Sequence, residues 1–251
     1  LFKGLAIEAL EKEWKAYPVL TLSFGRQDFT RSEVLEKGIH TFLRNAEEKY
    51  GLVHANDTLG DRFFDLLRHI YEKTGRQVVV LIDEYDKPLL DVMDEKVEVE
   101  QDGRKITLEE YNRNLLKSFY ATFKDADKYL RFVMLTGVTK FSQISVFSGF
   151  NQPKDITMDK RYEAICGITA EEMATYFAEP IAELAKTEGV SVEEEMALLK
   201  QQYDGYHFGQ GMTDVYNPFS LLNCFDKLFR DNYWFSTGTP TYLTKLLKHT
   251  D

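Results

Sequence analysis

Apolar and polar positions along the chain predict strands and helices in turn. Short apolar runs at 18–24, 78–82 and 129–138 predict three strands, and the middle run has no polar interruption. Apolar residues at helical spacing predict helices between them, over 61–73 and from 107 to about 127. Strands that alternate with helices are typical of a doubly wound α/β unit with a parallel sheet.

Helix starts and turns are predicted from local signals. Ser or Thr followed three residues later by Glu is a capping box, and this pattern begins at Thr30, Thr107, Thr169 and Ser191. The acidic segment 94–104 contains Gln-Asp-Gly-Arg, which predicts a turn or mobile loop. After residue 150 the alternation of strands and helices gives way to helical patterns. We therefore expect two domains, an α/β core over 1–150 and a small, mainly helical domain over 151–251.

The middle strand carries the strongest chemical signal, because its five apolar residues run directly into Asp83 and Glu84. Such a run predicts a strand that is buried on both faces, in the middle of a parallel sheet. Ligands of these sheets bind beyond the carboxyl ends of the strands, which is where the two carboxylates fall. In a Walker B strand the first carboxylate holds Mg²⁺ and the second polarises the attacking water. The alternative is a buried strand that ends in a solvated acidic turn.

Composition narrows the class of protein. The 251 residues are 43% hydrophobic and 29% charged, which is typical of a soluble globular protein. No apolar run is long enough to cross a bilayer, and Cys166 and Cys224 are expected to be buried, reduced thiols of a cytoplasmic protein. The net charge of −10 argues against a surface that is basic throughout. Because Leu1 is not an initiator Met and a helical pattern continues towards the last residue, we expect an excerpt of a longer protein.

Five sequence blocks, taken in this order and spacing, resemble one family. They are Asp83-Glu84-Tyr85-Asp86-Lys87-Pro88 and the blocks at 135–141, 203–208, 216–222 and 233–240. Together they resemble the bacterial AAA-ATPase-like proteins. These typically join an N-terminal P-loop ATPase region to a C-terminal PD-(D/E)XK nuclease-like domain. The resemblance extends over nearly the whole chain.

The resemblance implies a fold, a cofactor and a set of site residues. It implies a P-loop NTPase-like (ASCE/AAA-like) core with a parallel sheet, followed by a winged-helix-like domain. It also implies a Walker B role for Asp83 and Glu84, with ATP and Mg²⁺ as cofactors. Thr136 or Thr139 would be the polar sensor of the γ-phosphate, while the alternative for both is ordinary hydrogen bonding at a strand end.

One family motif, the Walker A sequence Gly-x-x-x-x-Gly-Lys-Ser/Thr, is absent from the 251 residues. In the family it precedes the point at which Leu1 begins, so we expect weak or absent ATP binding by this chain. We expect switch-like ATP hydrolysis in the intact protein. The second domain would engage DNA or a protein partner, and no membrane. The alternative function is a non-catalytic scaffold or DNA-binding module that keeps the NTPase fold. Nuclease activity of this chain is not expected, because the Asp83-Glu84 pair ends a buried strand and lacks the spaced Asp…Glu-x-Lys that this chemistry needs.

Several other residues are weaker candidates. Arg26, Arg68 and Arg131 could each stabilise phosphate charge, and the sequence does not distinguish them. His207 is interpreted as a packed or hydrogen-bonded histidine rather than a general base. The aromatic residues of 203–235 could stack on bases, but Lys and Arg are sparse among them, which favours a core role.

Overall fold

The computed structural model describes residues 2–93, 95–101, 103–138, 146 and 153–234. The chain divides into two compact units, Leu1–Pro153 and Lys154–Asp251. The helices and strands of the first unit are α1 (Ala6–Leu10), β1 (Val19–Ser23), α2 (Ser32–Tyr50), α3 (Leu59–Thr74), β2 (Val78–Asp83), α4 (Lys87–Leu90), β3 (Glu98–Gln101), β4 (Arg104–Thr107), α5 (Leu108–Asp125) and β5 (Leu130–Leu135). Those of the second unit are α6 (Ala170–Tyr176), α7 (Ala178–Glu188), α8 (Val192–Tyr203) and α9 (Pro218–Lys227).

The main sheet contains the three predicted strands in the order β1-β2-β5, and both pairs are parallel. Ser23 lies opposite Asp83 in the first pair, and Ile82 lies opposite Leu135 in the second. The prediction of a parallel α/β core is therefore confirmed. Because the strands run in one direction, their carboxyl ends lie along one edge of the sheet.

The central strand is buried on one face only. Val78, Val80 and Ile82 are buried in the core, whereas the alternate residues Val79 and Leu81 are half-buried. The prediction of burial on both faces is wrong, because only one face of β2 packs on this core. Successive side chains of a strand point to opposite faces. The alternating burial therefore shows that one face of β2 is covered by the core and the other is partly exposed, although the sequence is apolar throughout.

Aromatic side chains join the helices on that buried face. Phe63 of α3 stacks on Phe119 of α5, with ring centroids 4.7 Å apart, and meets Phe123 edge to face at 5.5 Å. Phe42 of α2 also meets the Phe63 ring edge to face, with the ring centroids 6.0 Å apart. This aromatic cluster therefore ties α2, α3 and α5 into one layer beneath the sheet.

Three of the four predicted helix caps are present. Thr107, Thr169 and Ser191 each accept a hydrogen bond from a backbone N–H in the first turn of the following helix. The prediction at Thr30 is wrong, because α2 begins at Ser32 with Arg31 as its N-cap and no side-chain cap. The Thr30 hydroxyl instead donates to Oδ1 of Asp28 at 2.8 Å. A local turn thus competes successfully for the hydroxyl that would have capped the helix.

The acidic segment 94–104 was expected to be a turn or mobile loop, and part of it is a hairpin. Strands β3 and β4 pair antiparallel, with Val99 opposite Ile106. Gly103 has a φ of 75°, which suits the left-handed position of a tight turn. The predicted turn is confirmed, whereas the two strands on either side of it were not predicted.

A buried ion pair links α2 to α3. Arg62 donates from Nε to Oε1 of Glu47 at 3.0 Å and from an Nη atom to Oε2 at 2.7 Å. His54 contacts the same carboxylate at 3.1 Å. Burial acts to raise the pKa of Glu47, but the hydrogen bonds and charges of Arg62 and His54 outweigh burial and hold it below its ordinary value. Such a pair is costly to break on one side, because the remaining charge stays buried.

The described part of the second unit is mainly helical, with two isolated bridges, Ile168 to Tyr216 and Tyr206 to Val215. Its core includes Cys224, which is buried as expected, whereas Cys166 is exposed and the prediction for it is wrong. The winged-helix arrangement stays a prediction. Over the described ranges of both units, no helix combines the length and apolar character needed to cross a membrane.

Candidate functional site

Three short polar side chains meet at the carboxyl edge of the sheet. Ser23 ends β1, Asp83 ends β2 and Thr136 directly follows β5. The Thr136 hydroxyl donates to Oδ1 of Asp83 at 2.7 Å, and the Ser23 hydroxyl makes a longer contact with Oδ2 at 3.4 Å. All three residues are exposed. Asp83 is therefore an accessible carboxylate with a hydroxyl on each side.

Backbone hydrogen bonds continue beyond the strand ends and hold this geometry. The Thr136 N–H donates to the carbonyl of Ile82 at 2.8 Å, and the Tyr85 N–H donates to the carbonyl of Thr136 at 3.0 Å. On the other side, the Phe24 N–H donates to the carbonyl of Asp83 at 3.1 Å. The segment that carries Asp83 is thus paired on both sides by neighbouring strands.

Glu84 occupies an unusual backbone conformation. Its φ is 53°, in the left-handed region that non-glycine residues seldom adopt. A methyl carbon added to Gly25 would lie 3.0 Å from Oε1 of Glu84 and 3.2 Å from its Cδ. The Glu84 carboxylate therefore lies against the backbone at Gly25, just beyond β1. Backbone strain of this kind is concentrated at functional sites.

A second carboxylate lies behind the site. Asp86 is 1% exposed, and its Oδ2 accepts a hydrogen bond from the Val138 N–H at 2.9 Å. Tyr120 of α5 is fully buried nearby; burial raises the pKa of its phenol, and the charges of Tyr85 and Asp86 raise it further. Tyr120 is therefore a neutral phenol at ordinary pH. The turn after β2 is anchored in the core as well as at the sheet edge.

The donor set at the edge suits Mg²⁺ better than a transition metal. One carboxylate and two hydroxyls supply oxygen atoms only, and Mg²⁺ is held in proteins by one or two carboxylates together with water and substrate phosphates. Within the part of the chain that the structure describes, no group of three or more His, Cys, Asp or Glu residues could hold a metal by itself. The site therefore fits an ion that arrives with a phosphate ligand.

The predicted site residues divide into three cases. Asp83 and Thr136 are in direct contact, and Glu84 follows in the adjacent turn. Thr139 lies outside the described residues. Sequence reasoning missed Ser23, although the argument that singled out Asp83, a polar residue at the carboxyl end of a strand, applies to it equally. It also missed the buried position of Asp86, for which the sequence carries no comparable signal.

The three candidate arginines lie in different environments. Arg68 pairs with Asp65 on α3 at 2.7 Å. Arg131 lies at the amino end of β5, with its guanidinium 5.8 Å from the centroid of the Tyr17 ring. Arg26 is exposed in the loop after β1, next to the glycine that faces Glu84. Of the three, Arg26 is the one at the carboxyl edge.

The aromatic residues of the second unit are not all in its core. Tyr203, Tyr216 and Tyr233 are buried, as a core role requires, but Tyr206 and Trp234 are 53% and 49% exposed. The expectation of a core role is therefore wrong for the exposed members. They help to line a shallow pocket of about 60 Å³, formed by Gln202, Tyr203, Tyr206, Asn217, Ser220, Asn232 and Trp234. His207 contacts Oδ1 of Asp214 at 3.0 Å, which fits the hydrogen-bonded histidine expected from the sequence.

The fold and the site together define an α/β protein whose architecture is compatible with a P-loop-type core. The family model described as "Predicted AAA-ATPase" matches residues 1–147, and the chain belongs to this AAA-ATPase-like family. The chain is also 38% identical over 248 residues to the "uncharacterized protein in vnfD 5'region" of Azotobacter chroococcum mcd 1. That match covers 98% of this chain and 44% of the relative. No solved structure matches the chain significantly.

Proposed function

We propose that this chain carries the Walker B carboxylates of an ATP-binding site, and that the intact protein hydrolyses ATP with Mg²⁺. The hydrogen bond from Thr136 to Asp83 is the observation that supports this best. It joins a carboxylate to a hydroxyl at the ends of two adjacent parallel strands, as a Walker B residue and a neighbouring sensor require. The fold that we propose is the P-loop NTPase-like type in the core, followed by a winged-helix-like second unit.

Asp83 would hold the Mg²⁺ ion, directly or through water, because it is exposed and acidic. Bound Mg²⁺ supplies neutralisation of phosphate charge. The Thr136 hydroxyl donates to one carboxylate oxygen and so fixes the orientation of the Asp83 side chain. Ser23 supports the other oxygen more weakly, as its longer distance indicates.

Glu84 would orient the attacking water and accept its proton. It follows the metal-binding position directly, and its carboxylate lies against the backbone at Gly25, just beyond β1. A carboxylate in this role must lie within hydrogen-bonding reach of the water, and a general base of this type contributes about 10²–10⁴-fold to the rate.

Arg26 would stabilise the charge that develops on the phosphate. Its loop follows β1 at the carboxyl edge, and no hydrogen bond or ion pair of its guanidinium is found within the described ranges. An exposed arginine close to the site is available to a phosphate, for which the guanidinium is the best-suited side chain. Arg68 and Arg131 already have partners.

The second candidate function is a scaffold without turnover. The described part of the second unit, 154–234, contains seven Lys or Arg residues and fifteen Asp or Glu residues. This acidic composition repels a phosphate backbone and disfavours DNA as the partner. The exposed Tyr206 and Trp234 favour a protein partner instead. We also propose a nuclease-like domain elsewhere in the intact protein, which the family implies, and a cytoplasmic location, which rests on the expectation of reduced thiols.

Calorimetric titration with Mg·ATP tests the proposal, on this chain and on the full-length protein that contains it. We expect binding by the full-length protein, weakened about tenfold or more by Asp83→Ala because the metal is lost. Glu84→Gln should bind ATP normally but turn it over about 10²-fold more slowly. Glu98→Ala, on the exposed hairpin, is the control carboxylate. ATP binding that is absent from the full-length protein, or unchanged by Asp83→Ala, would favour the scaffold.

A further inference from the structure

We propose that Asp86 is a positioning residue for the candidate ATPase site. Its buried carboxylate fixes the loop after β5 and thereby holds the Thr136 hydroxyl against Asp83. The inference rests on the function proposed above, but its geometric part can be tested independently of ATP hydrolysis.

The Asp86 side chain does not play the ordinary role of an aspartate at a helix start. Asp86 is the N-cap of α4, yet its carboxylate makes no capping hydrogen bond to that helix. Oδ2 instead accepts from the Val138 N–H at 2.9 Å, across to the segment that follows β5. A charge-assisted hydrogen bond to a carboxylate is about twice as strong as a neutral one. The carboxylate is therefore used to hold another segment.

Gly137 permits this approach because it has no side chain. A methyl carbon added there would lie 2.6 Å from Oδ1 of Asp86 and 2.7 Å from Cε1 of Tyr85, closer than such atoms pack in proteins. Gly137 is not among the glycines with positive φ, so its backbone conformation does not demand glycine. Space alone does. The loop and the Asp86 carboxylate are thus fitted to each other.

Two adjacent residues, Tyr85 and Asp86, form hydrogen bonds with the loop on either side of Gly137. The Tyr85 N–H donates to the carbonyl of Thr136 at 3.0 Å, and Asp86 accepts from the Val138 N–H. The hydroxyl of Thr136 in turn donates to Asp83 at 2.7 Å. A shift of the loop at Val138 therefore moves the hydroxyl that orients the carboxylate. This connection joins the buried Asp86 to the exposed edge of the sheet.

The core side of Asp86 is rigid. Tyr120, whose neutral phenol lies close enough for Asp86 and Tyr85 to act on it electrostatically, is fully buried within α5. Phe119 and Phe123 pack against the Tyr120 ring at centroid distances of 5.8 and 6.1 Å. The buried Asp86 side chain therefore lies between a closely packed part of the core and the loop that carries Thr136.

Steady-state kinetics on the full-length protein test the role. Asp86→Ala and Gly137→Ala should lower kcat about 10–100-fold, with the KM for ATP within about threefold, because a displaced catalytic geometry costs about that much. Asp86→Asn keeps an oxygen acceptor for the Val138 N–H and should recover most of kcat. Thr122→Ala is the matched control, since it removes a partly buried hydrogen bond elsewhere in the unit, from the Thr122 hydroxyl to the carbonyl of Gly60 at 3.2 Å. It should lower the melting temperature and leave kcat unchanged.

A double-mutant cycle distinguishes positioning from general stability. If Asp86 acts through Thr136, then Asp86→Ala should have little further effect on kcat in a Thr136→Val background. Additive losses, or equal kcat values for Asp86→Ala and wild type, would overturn the proposal.

Amide hydrogen exchange tests the geometry even if the wild-type protein has no ATPase activity. Asp86→Ala should speed exchange at 136–138, and Thr122→Ala should not. Unchanged exchange in Asp86→Ala would refute the positioning role. Faster exchange in a protein that does not hydrolyse ATP would instead refute the proposed function alone.

Discussion

Replacing Glu84 by glycine should make the protein more stable than replacing it by alanine, although both changes remove the same carboxylate. Glu84 has a φ of 53° at the end of the central strand. Alanine keeps a Cβ atom that conflicts with this conformation, whereas glycine relieves the conflict. The comparison of the two variants therefore isolates the backbone strain from the loss of side-chain contacts.

The expected difference follows from two opposing terms. The left-handed conformation costs a non-glycine residue about 1–2 kcal/mol. Glycine relieves this strain but lowers the folding stability by about 0.4–1 kcal/mol, because it has more conformational freedom in the unfolded chain. At the midpoints of these two ranges the glycine variant should thus be about 0.8 kcal/mol more stable than the alanine variant. For a chain of this size that difference corresponds to a rise of about 1–4 °C in melting temperature.

Urea denaturation of the two variants, followed by circular dichroism, measures the difference directly. ATP turnover, measured with the same two substitutions in the full-length protein, should fall about 10²-fold or more in both variants, because neither has the carboxylate. A glycine variant that is no more stable than the alanine variant would show that the backbone strain at Glu84 is no larger than the entropic cost of glycine in the unfolded chain. Turnover that stays at the wild-type rate in either variant would remove Glu84 from the mechanism.

Three further predictions concern the hydroxyl at the site, the candidate arginine and the buried ion pair. Thr136→Val removes the hydroxyl donor to the strand-end carboxylate and should lower kcat about 10–100-fold with the KM for ATP within about threefold, while Thr136→Ser should restore kcat; steady-state kinetics on the full-length protein compare them. Arg26→Ala should lower kcat about 10²-fold, the usual cost of losing a charge-stabilising donor, and Arg131→Ala should not. Glu47 has a lowered pKa in the folded state, so the stability it contributes is present above its ordinary pKa of 4.5 and is lost as the pH falls below that value. Glu47→Gln leaves Arg62 without its charged partner, so the variant should have a lower free energy of unfolding at neutral pH. That free energy should also fall less steeply than in wild type as the pH is lowered, which acid unfolding measures.

The amino-acid sequence by itself determined the three strands of the main sheet, most of the helices, and the position of the polar residues that end the strands. Continuous apolar runs predict the strands correctly, because burial against a core demands apolar residues whatever the neighbours are. The polar residue that ends a buried strand is also visible in sequence, and parallel strands bring such residues to one edge. The meeting of Asp83 and Thr136 could therefore be anticipated, with 53 positions between them along the chain.

Only the tertiary structure decided how the residues around this edge are used. Local pattern could not show that Thr30 bonds to Asp28 instead of capping α2, because the same short sequence is compatible with either hydrogen bond. Nor could it show that β2 is buried on one face, since an apolar sequence is compatible with one-sided or two-sided burial. The contact of Asp86 with Val138 depends on the order of the strands, which places the segment after β5 beside the turn after β2. Side chains that reach across the sheet take their role from packing, and packing is settled only when the whole core is formed.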